Sequence, residues 1–171
     1  ATMIRNMMSN SNKGLGTTDV LPVDQSRIEV LNGTVDYKNV PLGSYDILGR
    51  FASVAQRDYT EELNLIQSMG FNAYRISISW ARIFPNGEEL QPSEEGLKYY
   101  EAIIDDVLEK DIEPIVTLSH FDLPLNLYEK YGAWKSRKMI ELFERYAEAV
   151  FQYFKDKVKY WITFNEFNVL H

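Results

Sequence analysis

Cysteine is absent from the 171 residues, and histidine occurs twice, at His120 and His171. The first absence excludes a disulfide scaffold and any thiolate metal site. The second leaves no H-x-x-x-H pair and no carboxylate cluster at ligand spacing beside a histidine, so no metal is expected. Neither histidine is preceded by a nucleophile-elbow pattern, which removes a serine triad. Basic residues are in deficit: 18 Lys plus Arg stand against 25 Asp plus Glu, for a formal net charge of -7. Non-specific nucleic-acid binding wants a basic face, so no nucleic-acid partner is expected. No apolar run nears the roughly 18 residues of a membrane helix, and no membrane partner is expected either. No charged-then-apolar leader opens the chain, although Ala1 need not be the native start; the expected location is cytoplasmic. No Gly-rich phosphate fingerprint follows any strand-like segment, and no cofactor is implied.

Aromatic side chains are plentiful, with 11 Tyr, 9 Phe and 3 Trp. They suit either a large core or a site for sugars and aromatic ligands. A 45% hydrophobic and 25% charged composition is that of a globular chain, and the length suggests one domain.

Two regions differ in pattern. Residues 1–56 are loop-rich, with turn chemistry in clusters such as Ser9 to Gly14. So long a structureless stretch is uncommon in a compact domain unless it is functional or part of something incomplete. Residues 57–171 read as alternating helices and strands. Tyr59, Leu63 and Ile66 lie at helical spacing, with Gly70 as a stop. Tyr74, Ile76, Ile78 and Trp80 then alternate with Arg75, Ser77 and Ser79, the period of a strand running to Trp80. Pro85-Asn86-Gly87 is a turn. Ser93 is a candidate cap for a helix with Leu97, Tyr100, Ile104 and Leu108 on its apolar face. Pro114 to Ser119 reads as a buried strand. A Pro-containing segment precedes a helix from about Ser136, with Met139, Phe143, Tyr146, Ala147, Val150, Phe151 and Phe154 as its stripe. Tyr160 to Phe164 is the next strand. Strands alternating with helices make a parallel sheet, either doubly wound or part of an eight-stranded barrel.

Ligands in such folds bind beyond the carboxyl ends of the strands. Those ends carry Ser119-His120 with Phe121-Asp122, and Asn165-Glu166, while Arg75 lies inside the strand before Trp80. Each has a plain structural reading. Glu166 suits a solvated rim carboxylate, and His120 a histidine donating to a backbone carbonyl. Arg75 inside a barrel needs a partner, since an isolated buried charge is costly. Their coincidence at consecutive strand ends favours function.

Four segments, in order and at matching spacing, resemble glycoside hydrolase family 1, the β-glucosidases and 6-phospho-β-glucosidases. They are YRISISWARIFPNG from Tyr74, IEPIVTLSHFDLP from Ile112, YGAW from Tyr131 and VKYWITFNE from Val158. The resemblance covers roughly residues 57–171. It implies an α/β (β/α)8 TIM barrel, typically about 250 residues or more, of which this chain would be the first four βα units or so. The C-terminal half of that single domain would be missing. It also implies retaining hydrolysis by two carboxylates standing roughly 5–5.5 Å apart.

By resemblance, Glu166 is the general acid/base, a carboxyl held protonated in a closed, partly apolar cleft. Asn165 would hold the sugar 2-hydroxyl, His120 a neighbouring hydroxyl, and Phe121 would offer an aromatic face. Arg75 would sit beside the nucleophile, which belongs to a later Glu-Asn-Gly motif that this chain does not contain. The stretches NKGLGTTDV from Asn12 and YGAWKSRK from Tyr131 are closer to the phospho-sugar branch. The implied partner is a small β-glucoside, 6-phosphorylated on those two hints, alongside a homo-oligomer or a missing C-terminal segment. The family's Gln near the end of its first strand has no counterpart in Ala1 to Asn6. Two rivals stay open: a plain β-glucosidase, and a non-catalytic half barrel that binds sugar or serves as a scaffold.

Overall fold

The computed structural model describes residues 13–22, 26–31, 33–39 and 59–169. Ala1 to Asn6, the stretch compared with the family's first strand, lies outside them, as do Asn12 and His171.

Among the described residues, three parallel strands form one sheet in the order β1 (Ala73–Ser77), β2 (Glu113–Ser119) and β3 (Tyr160–Phe164). The order follows the chain without a reversal, as in a barrel wall; a doubly wound sheet reverses at its switch point. Alternation puts Tyr74, Ile76, Val116 and Leu118 on one face, where all four are buried in the hydrophobic cluster. Arg75, Ser77, Thr117 and Ser119 take the other face, and three of these four are polar and buried.

The helical side has six α-helices among the described residues: α1 (Ser26–Leu31), α2 (Tyr59–Ser68), α3 (Trp80–Ile83), α4 (Glu94–Glu109), α5 (Leu125–Tyr131) and α6 (Lys138–Phe154). Ser93 caps α4, its hydroxyl accepting from the Gly96 amide at 3.1 Å, with Glu94 and Glu95 in the first turn. Leu97, Tyr100, Ile103, Ile104 and Val107 are its buried face, and Leu108 packs at its margin. On α6 the buried face is Met139, Leu142, Tyr146, Val150 and Phe154. Phe143 and Ala147 are half-buried, and Phe151 is exposed. Burial of these stripes is what drives the helices onto the sheet, at about 25 cal/mol per Å² of apolar surface removed from water.

Three local expectations change. The strand expected to reach Trp80 stops at Ser77, because Trp80 opens a single helical turn in which the Phe84 amide returns to the Trp80 carbonyl at 2.8 Å. Trp80 enters the core instead, stacked on Tyr146 with ring centroids 5.2 Å apart. The Pro-containing segment after His120 holds α5, which Gly132 ends in the left-handed conformation at φ 68. Thr17–Val20, Ser26–Leu31 and Tyr37–Asn39 are helical turns within the region read as loop.

Candidate active site

The site is assembled where the three strands end. Arg75, on β1, donates from Nε to the Thr117 hydroxyl at 2.8 Å and from Nη2 to Oδ1 of Asn165 at 3.0 Å. One guanidinium thus spans β1, β2 and the residue after β3; its fixed fork of donors suits two acceptors at once. The Asn165 amide donates to the Ser119 carbonyl at 2.9 Å, extending the pairing of β2 with β3 by one step. Asn165 is therefore fixed through both backbone and side chain. His120, directly after β2, is 2.9 Å by its Nδ1 from the Ser77 hydroxyl. Its ring meets Phe121 edge-on at 5.3 Å.

Two of the five sequence-predicted residues have a left-handed backbone: Phe121 at φ 65 and Glu166 at φ 45. Such conformations cost roughly 1–3 kcal/mol for ordinary residues and concentrate at functional sites. Glu166 is exposed and follows Asn165 directly. The closed cleft expected around it is not supplied by the described residues. The structure thus brings Arg75 to Asn165 and His120 to Phe121, with Glu166 at the same strand end as Asn165.

Sequence reasoning passed over three contributors. Ser77 and Thr117 face the site residues just described, and strand alternation with Arg75 was the available signal. The third is Asp122. Its carboxylate accepts from the Thr18 amide at 3.1 Å, the Thr18 hydroxyl at 2.9 Å and the Ser79 hydroxyl at 3.2 Å. Desolvation pushes the Asp122 carboxyl above its ordinary range, against the opposing charge of Lys13 and the Thr18 hydrogen bonds. Lys13, itself buried, pairs with Asp19. Backbone bonds from Thr17 to the Leu123 carbonyl at 2.8 Å and from Leu125 to the Leu15 carbonyl at 2.7 Å complete the docking. Residues 13–20 are thereby clamped onto the loop that carries His120 and Phe121. A Cβ on Gly16 would lie 2.3 Å from an Asp122 oxygen, so a side chain there would push the Asp122 carboxylate aside.

Tyr146 supports both strand ends from below. Its hydroxyl faces the Leu118 carbonyl at 3.0 Å and the Ile78 carbonyl at 3.3 Å. Burial raises its hydroxyl pKa well above the ordinary value, so it remains a donor. Among the described residues no group of His, Asp and Glu could hold a metal ion.

A family model for glycosyl hydrolase family 1 matches residues 42–171. The chain belongs to glycosyl hydrolase family 1. Among its relatives, an aryl-phospho-β-D-glucosidase of Bacillus subtilis (strain 168), BglH, is 43% identical over 170 residues, covering 99% of this chain and 34% of that protein. The phospho-cellobiase of Klebsiella oxytoca is 40% identical over 171 residues, 99% of this chain and 34% of that protein. β-Glucosidase 25 of Oryza sativa subsp. japonica is 54% identical over 108 residues, 63% of this chain and 21% of that protein. A solved family 1 β-glucosidase from Thermotoga maritima matches with a TM-score of 0.61 and 44% identity, over 64% of this chain and 24% of its own. The chain thus spans about a third of the length of the first two of these relatives. The barrel class read from the sequence stands, with three of its parallel strands and their helices among the described residues. No helix of the described residues is long and apolar enough to cross a membrane.

Proposed function

We propose that the full-length protein is a retaining β-glycosidase acting on 6-phosphorylated β-glucosides. Residues 57–171 would supply βα units from the N-terminal part of its single barrel domain. The observation that carries the reading is the placement of Arg75, His120, Asn165 and Glu166 at or near the carboxyl ends of consecutive parallel strands, where barrel enzymes build their sites. Glu166 protonates the leaving glycosidic oxygen and afterwards takes a proton from water, while a second carboxylate attacks the anomeric carbon. Asn165 hydrogen-bonds the 2-hydroxyl, His120 takes a neighbouring hydroxyl, and Phe121 lies against the sugar. Arg75 holds Asn165 in place. A phosphorylated substrate is supported by the names of the relatives aligned over 99% of this chain, an aryl-phospho-β-D-glucosidase and a phospho-cellobiase.

A plain β-glucosidase is the second reading, favoured by the 54% identity to the rice β-glucosidase over 108 residues. Comparing kcat/KM for a β-glucoside and its 6-phosphate separates the two. The general reading is tested by Glu166→Gln in the full-length protein. Turnover of substrates with poor leaving groups should fall by roughly 10²- to 10⁴-fold. Activated aryl glycosides should still show their first step. Full activity of the variant on both substrate classes refutes the assignment.

A further inference from the structure

Ser77 ends β1 and is 7% exposed, with its hydroxyl 2.9 Å from Nδ1 of His120. A neutral imidazole has one donor nitrogen and one acceptor nitrogen, so a bond made at one of them decides what the other does. Both members of this pair sit on rigid backbone. After Ser77, the Ile78 amide donates to the Thr117 carbonyl at 3.0 Å, and the Ser79 amide to the Tyr100 hydroxyl at 2.8 Å. Before His120, the Ser119 carbonyl accepts from Asn165 at 2.9 Å. The Tyr146 hydroxyl reaches the carbonyls of Ile78 and Leu118, which ties the two strand ends to one point. The separation of Ser77 and His120 is thus set by the sheet, and the imidazole is oriented in advance of any ligand.

We propose that Ser77 is a positioning residue: its hydroxyl donates to Nδ1 of His120, holds the ring in the Nε2-protonated tautomer, and so makes His120 a hydrogen-bond donor toward one sugar hydroxyl. This deepens the glycosidase reading of the same site and rests on it. Losing the hydroxyl leaves nearly the same volume in the strand, so Ser77→Ala changes the ring's tautomer and orientation and little else. A donor aimed at one hydroxyl affects only substrates that carry that hydroxyl. A structural defect affects all substrates alike.

The experiment uses the full-length protein in two arms. In the first, kcat/KM is measured for wild type, Ser77→Ala and His120→Ala on a β-glucoside 6-phosphate and on its 3-deoxy and 4-deoxy analogues. Ser77→Ala should lose roughly three- to tenfold on the parent substrate, the scale of one neutral hydrogen bond. That loss should vanish on the analogue for which His120→Ala is also harmless. An equal loss from Ser77→Ala on every substrate overturns the proposal. In the second arm, ¹⁵N NMR of histidine-labelled protein reads the tautomer of His120, assigned by the signal missing in His120→Gln. The Nε2-protonated form is expected in wild type, and a mixture of tautomers in Ser77→Ala. An Nδ1-protonated ring in wild type, or an unchanged spectrum in Ser77→Ala, overturns it as well. If wild type hydrolyses no β-glucoside, phosphorylated or not, the glycosidase reading falls by itself, and the second arm still decides whether Ser77 controls the ring.

Discussion

Arg75 and Asn165 are 90 positions apart in sequence and 3.0 Å apart through Nη2 and Oδ1. The same guanidinium donates to Thr117, so the outer strands of the sheet are joined through one side chain on the site face. A lysine gathers its three donors on one flexible nitrogen and cannot reproduce that planar fork. Arg75→Lys should destabilise the full-length protein by about 1–3 kcal/mol in urea denaturation, the cost of leaving part-buried acceptors unpaired. It should also lose more kcat/KM on a glucoside than on its 2-deoxy analogue, because Asn165 is left unfixed. Equal losses on the two substrates would detach Asn165 from the 2-hydroxyl.

The clamp over residues 13–20 depends on the missing side chain of Gly16. Gly16→Ala puts a Cβ 2.3 Å from an Asp122 oxygen, so the carboxylate must leave its bonds to Thr18. Overpacking of this kind costs about 1–3 kcal/mol. Hydrogen exchange provides the check: the Thr18 amide should lose its protection in the variant. Protection equal to wild type would show that the loop tolerates the methyl.

Glu88 gives a pH dependence of known sign. Hydrogen bonds from Lys130 and Tyr131, with Asn126 adding to them, hold its carboxyl at about 2, below the ordinary 4.5. A carboxyl with a depressed folded-state pKa stabilises the fold above 4.5, and that contribution is lost as pH falls toward 2. Glu88→Gln should therefore be less stable than wild type near neutral pH, and the difference should shrink on acidification through this window. Denaturation midpoints measured from pH 6 down to about 2 test it, and a gap that stays constant rules out the ionised carboxylate as the source.

Tyr146→Phe keeps the ring that stacks on Trp80 and removes only the hydroxyl. The carbonyls of Leu118 and Ile78 then lose that donor in a buried place, for an expected cost of about 1–3 kcal/mol. Thermal unfolding of the pair of proteins measures it. A stability within a few tenths of a kcal/mol of wild type would mean that other donors serve those carbonyls.

Periodicity made the βα pattern legible, because burial of one face leaves a local trace. Tyr74, Ile76 and Ile78 alternate, and Tyr146, Val150 and Phe154 recur at helical spacing. The same rule overran at Trp80, where alternation continues for one more position although the Arg82 amide has already turned back to the Ser79 carbonyl at 3.1 Å. Helix α5 escaped because Leu125 and Leu127, its buried residues, are two positions apart. The strand-end residues His120, Asn165 and Glu166 were visible as polar groups closing apolar runs. Ser77 and Thr117 were not singled out, since a small hydroxyl on a strand looks the same whether it holds a histidine or nothing. The order in residues 13–20 is only partly local: Asp19 accepts from the Gly16 amide and pairs with Lys13, but the remaining partners, Ala81, Asp122, Leu123 and Leu125, are far along the chain.

The bond between Thr18 and Asp122 closes over a sequence separation of 104 residues. On the ribosome, the first partner emerges long before the second exists. At about 5–20 residues per second, the interval is roughly 5–20 s. Throughout it Thr18 lacks its Asp122 partner, although Ala81, the partner of the Gly14 amide, has already been made. Thr18 is therefore synthesised long before the carboxylate that its amide and hydroxyl bind, and any pause in synthesis before Asp122 lengthens that interval.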